Sequence, residues 1–332
     1  MAGPKVFVTR DIDAEAIQKL AGETELELWP GDFPPSTVEL LEQARDAHGI
    51  LTTVMDRIDR ALLEAAPHLK VVSQMAVGVD NIDVEEATRR GIPVGHTPRV
   101  LSSATADLAF SLLMAAARRV VEAERFVRAG HWKLAFHPKH WLGADVGGAT
   151  IGIVGLGSIG LEMAKRARGF DMKVLYHSRT RPEFLKEAKE GRNNMEYVDL
   201  STLLRDSDFV TLHVPLTPDT RHLIGEKEMA AMKPTGILIN TSRGPVVDPT
   251  ALYRALKEGW IAGAALDVTE SEPIPSDDPL LGLENLIVTP HIGSASVGSR
   301  KGMAMLATRN LLAGVRGEPL IHCVNPEVYG SP

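Results

Sequence analysis

Polar side chains follow three strand-like segments in the second half of the chain. Arg243 comes after ILIN, Glu272 after AALDV and His291 after LIVTP. Because open α/β sheets bind ligands beyond the carboxyl ends of their strands, we expect the three side chains to converge on one crevice. An arginine can hold a carboxylate and its neighbouring carbonyl, and a histidine oriented by a carboxylate can donate a proton near neutral pH. The set suits the reduction of a small 2-keto acid.

A glycine-rich turn lies upstream of these residues, between the strand-like TIGIV and the helical LEMAKRARGF. It has the pattern GxGxxG and consists of Gly155, Leu156, Gly157, Ser158, Ile159 and Gly160. In this strand–turn–helix setting the first glycine permits the tight turn, the second lets backbone approach a pyrophosphate, and the third lets the helix pack on the strand. The positive helix N-terminus then attracts the phosphates. We therefore predict dinucleotide binding here.

The residues after the next strand indicate which dinucleotide is bound. Sites selective for NAD place Asp or Glu there to bind the ribose 2′-hydroxyl. This chain instead has Ser178, Arg179, Thr180 and Arg181. A guanidinium matches the geometry of a phosphate, and hydroxyl groups can donate to it. We predict that NADP(H) is preferred, with NAD(H) as the alternative cofactor.

The composition argues against several other classes of protein. The 332 residues carry a formal net charge of −7, which disfavours a nucleic-acid surface. The single cysteine, Cys323, cannot form an intrachain disulfide or a cysteine metal cluster, so we expect a reducing compartment. We predict no metal site. The amino terminus lacks a signal-peptide pattern, and the longest apolar stretch, residues 108–117, is too short to span a bilayer. We expect no membrane association and a cytoplasmic location.

Strand and helix signals alternate in two series, one before about residue 97 and one from ATIGIVGLGSIG onward. This alternation predicts parallel βαβ units and an α/β fold. Between the series we expect one long helical stretch, residues 104–128, whose early apolar residues indicate burial. Residues 131–143 then form a loop that contains Trp132 and Trp141. Exposed aromatic residues in such a loop predict a subunit contact, with packing on its own domain as the alternative, and we expect a homodimer.

The motifs also occur in the order of a known family. VGVDNIDVEEATRRGIPV, VGLGSIG, the Arg243 segment, LDVTESEP and TPHIGS resemble D-isomer-specific 2-hydroxyacid dehydrogenases along nearly the whole chain. YHSRTR, KEGWIAGAALDV and TPHIGSAS resemble the glyoxylate/hydroxypyruvate reductase branch in particular. The resemblance implies two Rossmann-like or flavodoxin-like α/β domains with parallel sheets and an active site in the cleft between them. Residues 1–98 plus 290–332 would form the substrate-binding (catalytic) domain, and residues 99–289 the dinucleotide-binding Rossmann domain.

The resemblance further implies roles for individual residues. Arg243, Glu272 and His291 correspond to the family's catalytic arginine, glutamate and histidine, with His291 as the proton donor. The backbone amides of Val77 and Gly78 would bind the substrate carboxylate, with Arg243 and His291 also contacting the substrate. The remaining implied cofactor residues are Thr105, Val214, Pro215, Thr220, Thr241, Asp267 and Gly293. Asp267 and the Thr241 carbonyl would face the nicotinamide carboxamide. Val214 and Pro215 would face the adenine.

Three alternatives to a glyoxylate/hydroxypyruvate reductase stay open. Larger 2-keto acids are one, because spacing does not reveal the pocket lining and Met75 stands at a position that varies among relatives. A phosphite dehydrogenase uses the same catalytic groups but carries a lysine where this chain has Val77. A corepressor-like NAD(H)-sensing scaffold would need a partner-binding surface, which the sequence does not reveal. Arg99 departs from the small or acidic residue common in relatives, and its role is open.

Overall fold

The computed structural model describes residues 3–179 and 195–330. The chain divides into two compact units. Unit 1 is Met1–Leu101 with Ser294–Pro332, and unit 2 is Ser102–Gly293. The borders expected from the sequence, 98/99 and 289/290, lie close to these, and the assignment of substrate and cofactor to separate units remains a prediction. None of the helices in the described segments has the length and apolar character needed to cross a membrane.

Unit 1 is built on a parallel sheet with the strand order β2-β1-β3-β4-β5 among its described residues. The strands are β1 (Lys5–Val8), β2 (Glu25–Leu28), β3 (Gly49–Thr52), β4 (Val71–Gln74) and β5 (Val94–Gly95). The helices are α1 (Ala14–Glu23), α2 (Thr37–Ala44), α3 (Arg60–Ala65), α4 (Val84–Arg89) and, from the end of the chain, α11 (Val297–Val315). The carboxyl-terminal helix thus completes a unit that the amino-terminal strands begin.

Small residues let α11 lie close against this sheet. A Cβ at Gly314 would collide with the Val71 side chain, and one at Gly49 would lie 2.9 Å from Leu311 and Val315 atoms. Leu311 and Val315 join Val6, Val8 and Val71 in one buried cluster. Burial of apolar side chains contributes about 25 cal/mol per Å² removed from water. The helix and the strands therefore stabilise each other although more than 200 residues separate them in the sequence.

Unit 2 is built on a second parallel sheet with the order β12-β11-β10-β9-β6-β7-β8 among its described residues. Its strands are β6 (Thr150–Val154), β7 (Lys173–His177), β8 (Met195–Tyr197), β9 (Phe209–Leu212), β10 (Ile237–Asn240), β11 (Gly263–Leu266) and β12 (Leu286–Val288). The described helices are α5 (Ser102–Ala117), α6 (Val120–Arg128), α7 (Ser158–Arg168), α8 (Leu200–Asp206), α9 (Glu226–Ala230) and α10 (Pro249–Lys257). Strand order reverses at β6, which pairs with β7 on one side and β9 on the other.

The central strands of unit 2 are buried on both faces, as all-parallel sheets require. Every residue of β9, β10 and β11 is buried. One apolar cluster packs α5 and α7 on one face, and a second packs α8, α9 and α10 on the other. Continuous apolar runs such as ILIN and GAAL follow from this double burial. The predicted fold class, two α/β units with parallel sheets, is confirmed.

The long helical stretch predicted over residues 104–128 is helical except at residues 118 and 119, where it breaks into two helices. Helix α5 ends at Ala117, α6 begins at Val120, and Arg119 between them has a left-handed φ of 54°. The Ala144 amide donates a hydrogen bond to the Ala117 carbonyl at 2.8 Å, and a Cβ at Gly143 would collide with that same carbonyl. The end of the loop formed by residues 131–143, here called the aromatic loop, therefore ends the helix, and no Pro or Gly within residues 104–128 signals the break.

Candidate active site

His291 lies on a turn that follows β12, here called the histidine turn (residues 289–293). Its φ of 54° places it in the left-handed region, which residues other than glycine rarely adopt. Its backbone N–H donates to the Asp267 carbonyl oxygen at 2.9 Å. Such a conformation persists only where surrounding contacts hold it. The surrounding contacts therefore hold the turn in this conformation, which fixes the orientation of the imidazole ring.

The carboxylate of Asp267 accepts hydrogen bonds from residues of the histidine turn on both sides of His291. Asp267 follows β11 and is 1% exposed. One carboxylate oxygen accepts from the Ile292 amide at 2.8 Å and the Thr289 hydroxyl at 2.6 Å, and the other accepts from the Gly293 amide at 2.7 Å. These bonds satisfy a buried carboxylate and tie together the residues on both sides of His291. Asp267 thereby positions the histidine turn.

Glu272 contacts the His291 ring directly. His291 Nδ1 lies 2.7 Å from Glu272 Oε2, and the other carboxylate oxygen accepts from the Thr269 amide at 3.1 Å. An ionised carboxylate can only accept, so Nδ1 carries the proton and donates it to this bond. The His291 and Glu272 side chains are 34% and 29% exposed. The arrangement orients the ring and leaves Nε2 as the nitrogen that can exchange a proton with a ligand.

Arg243 follows β10, the strand beside β11, so the three predicted side chains come from adjacent strands. The Arg243 side chain is half-buried, and its Nη1 donates to the Ser242 carbonyl at 2.9 Å. Its own carbonyl accepts from the Asn240 side chain at 2.9 Å. A Cβ at Gly244 would collide with the Thr269 carbonyl. Glycine at that position lets the arginine segment lie against the loop that carries Glu272.

The glycine-rich turn follows β6, where the strand order of unit 2 reverses. Gly155 has a φ of 96°, and a Cβ there would meet the His213 carbonyl at 2.6 Å. A Cβ at Gly160 would collide with the Gly155 carbonyl. A Cβ at Gly157 would have no atom of the described residues within 4 Å. Packing therefore requires two of the glycines, and the third leaves room for a ligand.

The start of α7 fits a dinucleotide pyrophosphate. The N-cap residue of the helix is Gly157, and no side chain from the described part of the chain caps its amides. Uncapped amides and the helix dipole attract an anion. The open side of Gly157 is the side from which such an anion would approach. The residues present fit the dinucleotide predicted from the sequence.

Comparison with known proteins gives the family. The model for "D-isomer specific 2-hydroxyacid dehydrogenase, NAD binding domain" matches residues 110–293. A glyoxylate reductase of Korarchaeum cryptofilum is 55% identical over 98% of this chain and 97% of that protein, and one of Thermococcus litoralis is 53% identical over 99% and 98%. The chain belongs to the D-isomer specific 2-hydroxyacid dehydrogenase family. The predicted family and oxidoreductase class are confirmed.

Solved structures agree with this family. The TT0316 protein from Thermus thermophilus has a TM-score of 0.88 at 45% identity, covering 96% of this chain and 99% of that one. An NADPH-dependent glyoxylate/hydroxypyruvate reductase from Sinorhizobium meliloti, in complex with NADP and malonate, has a TM-score of 0.85 at 33% identity, covering 98% of each chain. This 2-hydroxyacid dehydrogenase therefore uses a nicotinamide dinucleotide as its cofactor.

Two groups of predicted cofactor residues lie in unit 2 of this dehydrogenase, one in the loop after β9 and one at the histidine turn. Val214, Pro215 and Thr220 share the loop after β9, and the Thr220 hydroxyl donates to the Pro215 carbonyl at 2.6 Å. At the histidine turn, a Cβ at Gly293 would lie 3.1 Å from the Asp267 carboxylate and 3.3 Å from the Thr105 side chain. Both groups lie at carboxyl ends of strands or beside the histidine turn.

The predicted selectivity residues are only partly described. Ser178 is half-buried and Arg179 is exposed, directly after β7. Thr180 and Arg181 lie outside the described residues. Thr241, after β10, is 7% exposed, and its hydroxyl has no hydrogen-bond partner among the described residues.

The predicted substrate amides lie in unit 1, on a loop after β4 that is here called the amide loop (residues 76–78). The Ala76 carbonyl accepts from the Thr97 amide at 2.8 Å, and the Val77 carbonyl accepts from His96 Nδ1 at 3.0 Å. The Gly78 carbonyl accepts from Gln74 Nε2 at 3.3 Å. The N–H groups of Val77 and Gly78 donate to no acceptor within residues 3–179 and 195–330. The loop therefore has its carbonyls occupied and these two amides available.

Sequence reasoning missed two histidines near the predicted sites. Burial lowers the pKa of His213 to about 4, so its ring is neutral, and its Nδ1 has no partner among the described residues. Its Nε2 lies 2.9 Å from the Thr211 hydroxyl. His96 was missed although it directly precedes Thr97 and Pro98 at the end of unit 1's strand series. Neither residue type nor spacing marks them, because their contacts come from distant parts of the chain.

Proposed function

We propose that this protein reduces glyoxylate and hydroxypyruvate to the corresponding 2-hydroxy acids. The observation that carries the proposal is the His291–Glu272 pair, which leaves a protonatable Nε2 beyond the strand ends where Arg243 also lies. Relatives named glyoxylate reductase at 53–55% identity over nearly the full chain support this substrate class. The reductase from Sinorhizobium meliloti supports hydroxypyruvate as well.

Each of the three side chains has a distinct role in this proposal. His291 donates the proton that the carbonyl oxygen needs as it becomes a hydroxyl, and Glu272 orients the ring and stabilises its charged form. Arg243 holds the polarised carbonyl and carboxylate oxygens through its guanidinium. The bound nicotinamide supplies the hydride. The amides of Val77 and Gly78 bind the substrate carboxylate.

Initial rates on a panel of 2-keto acids test this proposal most simply. We expect the highest kcat/KM with glyoxylate or hydroxypyruvate, measured as NADPH or NADH oxidation. A higher kcat/KM with bulkier 2-keto acids would overturn the substrate assignment. Oxidation of phosphite without reduction of 2-keto acids would favour a phosphite dehydrogenase, against which Val77 argues because it supplies no cation. Cofactor binding without turnover of any of these compounds would favour a sensing scaffold.

We also propose that NADP(H) is the preferred cofactor. Ser178 and Arg179 follow β7 with no carboxylate, so nothing there repels a 2′-phosphate. A charge-assisted hydrogen bond contributes about 1.5–3 kcal/mol, which corresponds to a preference of about tenfold or more. Ser178→Glu combined with Arg179→Ala should reverse the ratio of kcat/KM for NADPH and NADH. Arg205→Ala, another exposed arginine of unit 2, is the control. A wild-type protein that already favours NADH would refute this preference.

We further propose that the protein is a homodimer that buries its aromatic loop. Trp132, Phe136 and Leu142 are 60%, 78% and 68% exposed in the single chain. Apolar exposure on this scale marks contact surfaces. Light scattering should give a dimer for the wild type and a monomer for Phe136→Asp. Phe33→Asp is a matched control, because Phe33 is 83% exposed outside this loop and its replacement should leave the dimer intact. A monomeric wild type at micromolar concentration would contradict the proposal.

A further inference from the structure

In two peptide units of the amide loop, the carbonyl accepts a hydrogen bond from a neighbouring residue. The Ala76 carbonyl shares its peptide with the Val77 amide, and the Val77 carbonyl shares its peptide with the Gly78 amide. Ala76 accepts from the Thr97 backbone at 2.8 Å, and Val77 accepts from His96 Nδ1 at 3.0 Å. Hydrogen bonds in a chain polarise one another, so a peptide whose carbonyl accepts a bond has a stronger N–H donor. Both amides that would bind the substrate carboxylate are strengthened in this way.

The contact fixes the protonation of His96. A carbonyl oxygen can only accept, so Nδ1 must carry the proton in this hydrogen bond. Burial lowers the pKa of His96 below its ordinary value, the Val77 bond opposes this shift, and the neighbouring His322 adds to it. The ring is therefore a neutral donor at neutral pH. Its effect on the loop comes from one hydrogen bond rather than from a full positive charge.

The backbone around His96 is anchored to distant parts of unit 1. The His96 carbonyl accepts from Asn310 Nδ2 at 3.0 Å, and the His96 amide donates to the His322 carbonyl at 3.3 Å. Asn310 lies on α11 and is fully buried. A Cβ at Gly95 would lie 2.9 Å from the Asn310 side chain, so glycine lets β5 reach it. These contacts hold the imidazole at a fixed place beside the amide loop.

We propose that His96 is a positioning residue for the substrate carboxylate. It aligns and polarises the Val77–Gly78 peptide so that the Gly78 amide, with the Val77 amide beside it, binds the carboxylate of a 2-keto acid. The inference rests on the proposed function, because it takes these amides as the carboxylate-binding group. It adds a side chain that touches neither substrate nor cofactor and acts through the backbone.

A matched pair of variants separates the donor from the bulk of the side chain. In His96→Asn the side-chain amide nitrogen can occupy the place of Nδ1 and donate to Val77. In His96→Leu a side chain of similar size has no donor. Carboxylate binding contributes equally before and during the reaction, so its loss raises KM and leaves kcat unchanged. We expect His96→Leu to raise the KM for glyoxylate about fivefold to tenfold, as for one lost hydrogen bond, and His96→Asn to stay within about twofold of wild type.

Binding of oxamate, an unreactive 2-keto-acid analogue, gives a second readout that needs no turnover. Calorimetry on the NADP⁺-saturated protein should show a dissociation constant raised by the same factor in His96→Leu and unchanged in His96→Asn. Equal values for the two variants would overturn the proposal, as would a fall in kcat with KM unchanged. If His96→Leu does not fold, His96→Phe also lacks the donor and carries the same expectation. A wild type that reduces no 2-keto acid refutes the proposed function, and the oxamate measurement still decides the role of His96.

Discussion

The histidine turn of unit 2 and the amide loop of unit 1 differ in which backbone groups are hydrogen-bonded within the protein. These groups are N–H groups in the histidine turn and carbonyls in the amide loop. In the histidine turn, the buried Asp267 carboxylate accepts from the Ile292 and Gly293 amides, and the His291 side chain is the group proposed to act on the substrate. In the amide loop, donors occupy the carbonyls, and the backbone amides of Val77 and Gly78 are the groups proposed to bind the ligand. The groups that each segment satisfies internally thus decide which groups it offers outward.

This difference separates two kinds of effect on catalysis. Residues of the histidine turn should act on proton transfer and hence on kcat. Residues behind the amide loop should act on carboxylate binding and hence on KM. The variants below are ordered by the size of the change that each is expected to cause.

The largest effect is expected at the ring itself. His291→Asn removes the proposed proton donor and should lower kcat by about 10²–10⁴-fold, the usual contribution of general acid–base catalysis. The dissociation constant for NADPH, measured by fluorescence, should stay within about twofold of wild type. Near-normal turnover would remove His291 from this role and with it the contrast between the two segments.

The next largest effect is expected at the Asp267 carboxylate, which accepts hydrogen bonds from the histidine turn. Asp267→Asn offers one acceptor oxygen in place of two, so an amide of Ile292 or Gly293 loses its partner. The free energy of unfolding should fall by about 1–3 kcal/mol, the cost of an unsatisfied buried group, and kcat should fall with it. Urea unfolding and initial rates measure the two changes.

Asp248→Asn is the control for that change. Asp248 also accepts from two backbone amides, those of Thr250 and Ala251, but it does so as a helix N-cap, where Asn is equally suitable. Its replacement should leave stability and rate nearly unchanged. If Asp267→Asn behaved like Asp248→Asn, the carboxylate would not be holding the histidine turn.

A smaller effect is expected at Glu272. Glu272→Gln keeps an acceptor for His291 Nδ1 but removes the charge, so a charge-assisted bond becomes a neutral one. The difference of about 1–1.5 kcal/mol corresponds to about a tenfold fall in kcat, with the KM for glyoxylate nearly unchanged. Steady-state kinetics at saturating NADPH measure both values. A rise in KM with kcat preserved would mean that Glu272 serves binding rather than proton transfer.

The smallest effect on kinetics is expected at Gln74. Its Nε2 donates to the Gly78 carbonyl at 3.3 Å, and that peptide carries the Val79 amide rather than either amide assigned to the substrate. Gln74→Met should therefore raise the KM for glyoxylate less than about threefold, since a weak hydrogen bond contributes about 0.5 kcal/mol. A rise as large as that of His96→Leu would mean that the amide loop acts as one rigid body rather than peptide by peptide.

The sequence could predict whatever depends on strand order and local pattern. Arg243, Glu272 and His291 each follow an apolar strand of one parallel sheet, and parallel strands bring such residues to one edge. The spacing of Gly155, Gly157 and Gly160 between a strand and a helix was likewise sufficient to predict the glycine-rich turn, in which packing requires Gly155 and Gly160 and Gly157 leaves room for a ligand.

The remaining contacts depend on residues that only the folded chain brings together. His96 meets the Val77 carbonyl because β4 and β5 are paired and Asn310 anchors the segment from the far end of the chain. The break after Ala117 comes from the returning Ala144 amide. Asp267 was predicted as a cofactor residue, but its bonds to the histidine turn require the paired ends of β11 and β12. No periodicity in the sequence encodes these contacts.

The central claim is that backbone amides bind the carboxylate while the imidazole acts on the carbonyl oxygen. A crystal structure of the protein with NADP⁺ and oxamate tests it most directly. We predict carboxylate oxygens within about 3 Å of the Val77 and Gly78 nitrogens, and the carbonyl oxygen at similar distances from His291 Nε2 and the Arg243 guanidinium. A carboxylate bound against the imidazole, with the Val77 and Gly78 amides making no contact to oxamate, would contradict the account.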